Sequence, residues 1–487
     1  MAIRIGGLSS GIDTEALINK MVQAQRARLV DTYKQKNQAI SWKQEYYRET
    51  NNKLRVLSNA INSVRNLDFQ AKKVESSNTN VLTVTGGKVS GSYTINVEKI
   101  ASAAYINTTP PNKDVTNNTG SDLKFTINGV EIIAKPGDGL SDIAKSINAK
   151  ALETGVSASY DPNNNQLYIR STTIGSAAKI EFGGTDADVV MGALGLDSST
   201  KVIRGHNALV SIDGVYVDPE ILTTGNKFEY NGMTVDLKQV GSATITVSSN
   251  LEPIVEKVKE FVEAYNNVMD FMSGKMGEKR YFDYAPLTDE QKAGMKEKDI
   301  ELWEEKAKSG LLKNDYTYSS IYNSLRMTTM DSVSGLSADN LYTTLRSLGI
   351  STGDTAYSWA NKGKLELDEN KLREALESNL GKVEEFFKKD AAGNLGGFTT
   401  KLINNLSTNM NTIRDRADIA GQGWMLEIAN NEKRITTGEE RLNRMMERYW
   451  KQFTAMETAL AKMQSQSQWL EQQLSAYSNL ASGSNSN

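Results

Sequence analysis

The sequence predicts an α+β multidomain protein: long terminal coiled-coil helices and a helical body domain, with an inserted β-rich head of one or two sandwich-like subdomains. Three observations lead to this fold class. Apolar residues repeat every seven positions near both ends, alternate with a period of two between residues 70 and 250, and return to helical spacing after Pro253. A chain of 487 residues is long enough for about three domains.

The longest predicted helix runs from Ile435 to Leu474. One row of its apolar residues repeats every seven positions, at Ile435, Leu442, Tyr449, Met456, Met463 and Leu470. A second row lies four positions after members of the first, with Ser467 out of type, at Met446, Phe453, Leu460 and Leu474. Both rows fall on one narrow stripe, which is the pattern of a coiled coil. A helix on the order of 60 Å long with such a stripe needs a partner helix.

A weaker heptad pattern lies near the N-terminus. Its main row is Tyr33, Ile40, Tyr47, Leu54 and Ile61, and the companion row is interrupted at Lys36, Lys43 and Thr50. We expect the two ends to pair with each other or with neighbouring copies. The alternative is that both are ordinary amphipathic helices of a globular bundle.

The segment that precedes this pattern is rich in glycine and serine. After it, Asp13 or Thr14 is expected to cap a helix that carries Ala16, Leu17, Met21 and Val22. A nucleotide-binding loop is not indicated, because no Lys-Ser/Thr pair follows the glycines and no strand precedes them.

The region from Lys72 to Asn250 reads as strands. Three short pairs of strands flank the dipeptides Asn128-Gly129, Asp213-Gly214 and Asn231-Gly232. Such dipeptides supply the two positive φ angles of a type I′ turn, so each predicts a β-hairpin. One short helix is predicted from Ser141 to Leu152, with Ile143, Ile147 and Leu152 on one face.

Helices resume at Pro253, which suits a first helical turn. Thr288 and Gln291 fit a capping box that opens a helix to about Ser309. Further helices are predicted over Tyr318–Met330, Asn370–Lys388 and Gly397–Arg416. We divide the chain into a terminal leg (1–45 and 425–487), a mainly helical body (46–70 and 251–424), a β-rich head subdomain (71–105 and 200–250) and an inserted α+β head subdomain (106–199).

Composition excludes several classes of protein. The net charge of −3 argues against nucleic acid or an anionic membrane as the main partner. The chain has no cysteine, which excludes disulfides and thiolate sites, and no apolar run of about 20 residues that would span a membrane. Residues 1–13 do not resemble a secretory signal peptide, which fits either a cytosolic protein or one exported by a dedicated machine.

No constellation of residues supports an enzyme, a metal site or a cofactor. The single histidine, His206, has Asp213 nearby in sequence, but a lone loop histidine is usually structural. The run that starts at Asp161 lacks the glycine and glutamate of a calcium loop and reads as an Asx-rich turn. Asp186 and Asp188 read as a solvated loop rather than paired catalytic carboxylates.

Two terminal motifs resemble a known family. The run Gly7-Leu8-Ser9-Ser10-Gly11-Ile12-Asp13 resembles the N-terminal motif of the flagellar cap proteins, also called the hook-associated protein 2 family. The segments Tyr449–Glu457 and Trp469–Leu474 are similar to the end signature of that family. One departure is Arg28, where many members carry a proline, so the first helix either breaks there or runs on into the heptad region.

The resemblance implies a structural role in cell motility. Members form a homo-oligomeric ring, expected here to be a pentamer, at the distal tip of the bacterial flagellar filament. There the ring would guide insertion and folding of exported flagellin, close to the hook-filament junction protein. A cytosolic export chaperone would hold the chain before secretion through the flagellar type III export system.

The interface residues that we predict lie in the glycine-rich N-terminal segment, on the helix that follows it and on the last helix. They are Leu8, Ile12, Leu17, Met21, Val22, Leu442, Tyr449, Phe453, Met456, Leu460, Met463 and Leu470.

Two other functions stay open at the level of sequence. The first is an adhesin or glycan-binding module at the flagellar tip, with host glycans as partners, although no head loop carries an aromatic cluster. The second is another axial flagellar protein, such as the hook-filament junction protein, which shares the plan of helical ends.

Overall fold

The computed structural model describes residues 11, 13–111, 117–197, 201–218, 221–222, 225–352, 363–389, 392–418 and 422–482. The chain divides into two compact units. The helical unit joins Met1–Phe69 to Leu251–Asn487, and the β-rich unit is Gln70–Asn250. The predicted α+β fold class is confirmed. The finer four-part division of the chain stays a prediction.

The helices of the described residues are α1 (Thr14–Arg26), α2 (Thr32–Asn66), α3 (Leu140–Ala149), α4 (Ala151–Thr154), α5 (Ala187–Ala193), α6 (Glu252–Gly277), α7 (Asp289–Ala293), α8 (Glu297–Lys308), α9 (Tyr316–Met330), α10 (Glu369–Lys388), α11 (Gly397–Ala417) and α12 (Gly423–Ser482). A π-helical turn, Ala27–Asp31, joins α1 to α2, and a 3₁₀ helix spans Leu345–Leu348.

The strands are β1 (Lys72–Ser76), β2 (Leu82–Gly86), β3 (Gly91–Lys99), β4 (Tyr105–Thr108), β5 (Leu123–Ile127), β6 (Val130–Ala134), β7 (Val156–Asp161), β8 (Gln166–Ser171), β9 (Lys179–Gly183), β10 (Val202–Arg204), β11 (Leu209–Ile212), β12 (Val215–Tyr216), β13 (Lys227–Tyr230), β14 (Met233–Leu237), β15 (Gly241–Ser249), β16 (Ile350–Ser351) and β17 (Glu366–Leu367).

The core of the helical unit forms where α2, α6, α9, α10 and α11 bury their apolar faces together. Pro253 lies in the first turn of α6, as its sequence predicts. Three phenylalanines mark the centre: the Phe398 ring lies 5.7 Å from the Phe261 ring and 5.8 Å from the Phe386 ring. All three side chains are fully buried, so this cluster fixes α6, α10 and α11 relative to one another.

The β-rich unit contains two separate buried clusters. In one, a five-stranded antiparallel sheet of order β1-β15-β3-β11-β12 and a three-stranded sheet of order β13-β14-β2 share a core of mostly aliphatic side chains. In the other, the sheets β10-β9-β5-β6 and β4-β8-β7 pack with α3 and α5.

Each of the three predicted hairpin turns is confirmed. β5 pairs with β6, β11 with β12, and β13 with β14, each across a two-residue turn. Asn128, Asp213 and Asn231 have φ angles of 51°, 49° and 49°, and the glycine that follows each of them also has a positive φ angle. The Asn128 amide donates to the carbonyls of Thr154 and Lys179 and accepts from the Glu181 N–H, which ties its hairpin to two neighbouring segments.

Two predicted helices differ from the structure. The capping box at Thr288 and Gln291 is present, but its helix α7 ends at Ala293 because Gly294 follows, and α8 begins separately. The predicted helix from Ser141 breaks at Lys150, whose φ and ψ are −107° and 12°. Leu152 is consequently fully exposed on α4 instead of sharing the buried face of α3.

Candidate assembly interface

The N-terminal helices α1 and α2 run on without a break, and this settles the question that Arg28 leaves open. Asp13 caps α1 by accepting a hydrogen bond from the Ala16 N–H at 2.9 Å. The helix then passes through the π turn that contains Arg28 and continues as α2. The π turn leaves Val30 fully buried.

The last helix, α12, pairs with these N-terminal helices in an antiparallel arrangement. Asn431 donates to the Asn37 amide oxygen at 2.8 Å, and Arg434 donates to the Tyr33 hydroxyl at 3.0 Å. Further along α12, Gly438 lies directly against the π turn, where a Cβ atom would come within 2.4 Å of the Leu29 carbonyl oxygen. The prediction that the two ends pair with each other is confirmed within one chain.

A buried aromatic group anchors the start of this pairing. The Trp424 ring meets the Tyr47 ring edge-on, with centres 4.7 Å apart. The Tyr47 hydroxyl donates to Asp315 at 2.8 Å, and burial beside that carboxylate raises the pKa of Tyr47 well above its usual value. Thr50, which interrupts the heptad in sequence, is buried and hydrogen-bonds Tyr318 at 2.8 Å. The N-terminal pattern therefore serves the body core as well as the paired helices.

The pairing ends before α12 does. Leu442 is 4% exposed, and Tyr449, Phe453 and Leu460 are half-buried. Further along the same stripe, exposure rises to 56% at Met463, 54% at Leu470 and 66% at Leu474. Within the described residues, nothing covers the last turns of this stripe.

The predicted interface residues of α1 lie on its outer side. Leu17 and Met21 are exposed, and Val22 is half-buried. The apolar residue that α1 buries completely is Ile18, which is not among the predicted interface residues. Leu8 and Ile12 lie outside the described residues.

The remaining sequence motifs carry no catalytic chemistry. His206 is exposed, and its ring nitrogen Nδ1 lies 3.4 Å from the Asn207 carbonyl oxygen. Asp161 accepts from the backbone of Asn163 and Asn164, as in the predicted Asx turn. Asp186 accepts a hydrogen bond from the Lys124 N–H, whereas Asp188 lies in α5, not in the predicted loop, and pairs with Lys201 at 2.9 Å. The two carboxylates therefore have separate structural roles.

The described part of the chain contains neither a candidate metal site nor a candidate membrane span. No group of three or more His, Cys, Asp or Glu side chains there is arranged to hold a metal ion. None of the helices described is both long and apolar enough to cross a membrane.

Three family profiles match the sequence in order. They are described as Flagellar hook-associated protein 2 N-terminus (residues 10–104), Flagellin hook IN motif (residues 114–173) and Flagellar hook-associated protein 2 C-terminus (residues 205–465). The last profile covers more than half of the chain. The chain belongs to the flagellar hook-associated protein 2 family.

Relatives of the same description align over most of the chain. The flagellar hook-associated protein 2 of Halalkalibacterium halodurans is 29% identical over 96% of this chain and 99% of its own length. That of Thermotoga maritima is 33% identical over 82% of this chain and 62% of its own length. The crystal structure of the flagellar cap protein D1-D2-D3 domains from Escherichia coli, 24% identical, covers 75% of this chain and 95% of its own with a TM-score of 0.45.

The family is structural rather than enzymatic. Membership therefore confirms the prediction that this chain is not an enzyme. It also places the chain among proteins of the flagellum, as the terminal motifs predict.

Proposed function

We propose that the chain forms the cap at the distal tip of a bacterial flagellar filament. Copies associate into a ring, for which we keep the predicted pentamer, and the ring guides insertion and folding of flagellin that arrives through the export channel. The chain itself is secreted by the type III export system after release from a cytosolic chaperone, and at the tip it lies outside the cell. Earlier in assembly it adjoins the hook-filament junction protein.

The observation that carries this proposal is the uncovered stripe of α12. We call the segment from Met456 to Leu474 the free stripe. Its side chains are largely exposed, and only Glu457, Lys462 and Glu471 carry charge along it. An apolar, nearly uncharged helix face of this length is an aggregation risk unless another helix covers it. In a protein of this family, the available helices are those of neighbouring copies and of the filament.

The energetics of the free stripe suit contacts that form and break repeatedly. Covering an exposed Met or Leu side chain contributes about 1–2 kcal/mol. The free stripe lacks the tertiary packing that supplies most of a helix's stability, so ordering it against a partner consumes part of that gain. A cap must advance each time a flagellin subunit is added. Weak contacts at Met463, Leu470 and Leu474 allow that step without releasing the ring.

The decisive experiment combines two alanine changes on the free stripe. Met456→Ala with Leu460→Ala removes apolar surface at spacing i, i+4 while keeping a strong helix former at both positions. We expect shorter filaments and flagellin lost to the medium from cells that carry this variant. The matched control is Thr458→Ala with Lys462→Ala, which has the same spacing on the polar face and should leave filaments normal. Normal filaments from both variants would refute the proposal.

A second assay separates a cap from other axial proteins of the flagellum. Purified protein added to filaments whose tips leak flagellin should restore growth if the chain is a cap. A hook-filament junction protein would not restore it, because that protein acts at the base of the filament.

A second candidate function rests on a partly exposed aromatic pair that the sequence did not reveal. The rings of Tyr105 and Tyr168 stack with centres 6.5 Å apart on neighbouring strands β4 and β8, and Tyr105 is 50% exposed. Sugar rings stack on such faces. Binding of the full chain to a glycan array, lost in Tyr105→Ala with Tyr168→Ala, would support an adhesin role, and no binding would exclude it.

A further inference from the structure

A basic cleft lies beside the C-terminal end of α6. Its volume is about 770 Å³, and the cationic side chains that line it are Lys43, Lys279, Arg280 and Lys313. None of the described residues that line the cleft is acidic. Phe282 also lines the cleft and is 87% exposed.

One side of the cleft is held in place by hydrogen bonds of the half-buried Arg280, and the other side carries exposed lysines. The Arg280 guanidinium donates to the carbonyls of Ala307 and Ser309 at 2.7 and 3.1 Å. Gly310, with φ of 67°, allows the backbone to approach Arg280 so closely that a Cβ atom would lie 2.8 Å from its nitrogen. Lys279 and Lys313 are exposed and form no ion pair within the described residues. The Lys279 ammonium lies 4.9 Å from the centre of the Tyr281 ring, and neither lysine has a carboxylate that neutralises its charge within the described residues.

An acidic groove of about 530 Å³ lies at the other end of α6. Its lining is formed by the first three turns of α6 and the start of α10, and its acidic residues are Glu252, Glu256, Glu260, Glu263 and Glu369. Among the described residues of the lining, Lys259 is the one cation, and it is paired with Glu369 at 3.1 Å. Glu252 and Glu260 are paired with Arg373 and Lys257, which lie beside the groove. Glu256 and Glu263 are exposed and form no ion pair within the described residues. The groove thus presents free carboxylates, as the cleft presents free ammonium groups.

These two surfaces cannot meet within one chain. Both belong to the helical unit, and Glu256 and Lys279 are separated by most of α6, which at 1.5 Å per residue is about 35 Å. A rigid helix holds them apart. A contact between the cleft of one copy and the groove of the next joins two different surfaces, and contacts of this kind generate rings when they close.

We propose that the basic cleft of one copy receives the acidic groove of its neighbour. This inference rests on the ring of the proposed function and assigns the residues that set its direction. Opposite charges steer the encounter and fix which surfaces meet, whereas two clefts or two grooves repel each other. The exposed Phe282 ring loses its contact with water as the cleft is covered.

The test is a charge-reversal series on the full chain. The first variant carries Lys279→Glu and Lys313→Glu, the second Glu256→Lys and Glu263→Lys, and the third all four changes. Assembly is followed by analytical ultracentrifugation over a concentration series in about 0.1 M NaCl, where exposed charges act over about 10 Å. Circular dichroism verifies that each variant keeps its helices.

The first two variants should need at least about tenfold more protein for half-assembly, because like charges now face each other. The variant with all four substitutions should half-assemble at a concentration within about threefold of that of the unchanged chain, since every facing pair again carries opposite charges. Lys296→Glu with Lys298→Glu, on exposed lysines of the same unit, is the matched control and should assemble normally. If a reversed variant loses helix content, Lys279→Gln with Lys313→Gln provides the same comparison, and the expected loss of assembly is smaller because the charges are removed and not reversed.

Assembly of both reversed variants at the unchanged concentration would overturn this inference and leave the proposed ring intact. Failure of the variant with all four substitutions to recover would overturn the pairing of these two surfaces. An unchanged chain that stays monomeric at every concentration would overturn both the inference and the ring.

Discussion

α12 crosses the π turn closely at Gly438. A substitution that adds one carbon atom at this position should therefore push the terminal helices apart. In Gly438→Ala, the Cβ atom would lie 2.4 Å from the Leu29 carbonyl oxygen and 3.1 Å from Val30 Cγ2. Contacts of Cβ atoms essentially never fall below 3.0 Å, so α12 must move away by about 0.6 Å. The obstacle is backbone within a helix, which cannot rotate aside as a side chain can.

The net effect can be worked out from two opposing contributions. Overpacking of this kind costs about 1–3 kcal/mol, and we expect the upper part of that range because the obstacle is rigid. Alanine restores about 1 kcal/mol through its higher helix propensity. The pairing of α12 with α1 and the π turn should therefore weaken by about 1–2 kcal/mol, and opening of the pair should become roughly 5–30 times more frequent.

Hydrogen exchange read by mass spectrometry measures that opening directly. Peptides from α1 should exchange faster in Gly438→Ala, while peptides from the Phe261 core keep their rates. The matched control is Gly274→Ala in α6, where a Cβ atom meets nothing within 4 Å and the change should stabilise the helix. Unchanged or slower exchange in α1 of Gly438→Ala would refute the crossing geometry.

Two further predictions concern stability. Asn128→Ala should lower the free energy of unfolding by about 3 kcal/mol because three backbone groups lose their partner, whereas Asn231→Ala, at the same turn position, should cost about 1 kcal/mol; denaturant titration measures both. Burial raises the pKa of Tyr265 to about 12, so the unfolded phenol ionises first as pH rises above about 10. Stability contributed by Tyr265 is complete below pH 10 and is lost between pH 10 and 12, a loss of about 2–3 kcal/mol that Tyr265→Phe should remove from the pH profile of unfolding.

Local patterns in the sequence predicted much of this fold. The hairpin turn at Asn231-Gly232 depends on two residues whose φ angles are set by their own chemistry, so no distant contact was needed to find it. The helix of Pro253 and the stripe that contains Leu442 follow in the same way from the period of their apolar residues. Each of these patterns can be recognised within a window of about a dozen residues, without knowledge of distant contacts.

Features that depend on distant partners could not be predicted. β1 pairs with β15, more than 160 residues away, and neither strand is flanked by a turn that marks the pairing. The π turn at Arg28 has no sequence signature of its own, and it packs against Gly438 from the other end of the chain. Leu152 is exposed because the helix breaks at Lys150, and lysine is not a residue type that marks a helix break in sequence.

The extent of the candidate interface also depends on residues that are distant in sequence. Heptads identified the stripe on α12 but could not show where its intrachain partner ends, because that depends on the length of α1 and the crossing at Gly438. The same holds for the basic cleft. Lys43, Lys279 and Lys313 are separated by long stretches of sequence and come together only through the packing of α2 beside the C-terminal end of α6.

The most direct test of the account uses the absence of cysteine in the sequence. A single Met463→Cys variant places one thiol on the free stripe, and Leu442→Cys places one under the paired helices. Maleimide should label Met463→Cys rapidly in the free chain and at least about tenfold more slowly once caps have formed on filaments, with Leu442→Cys slow in both states. Equally rapid labelling of Met463→Cys in free chain and cap would contradict the claim that assembly covers this helix.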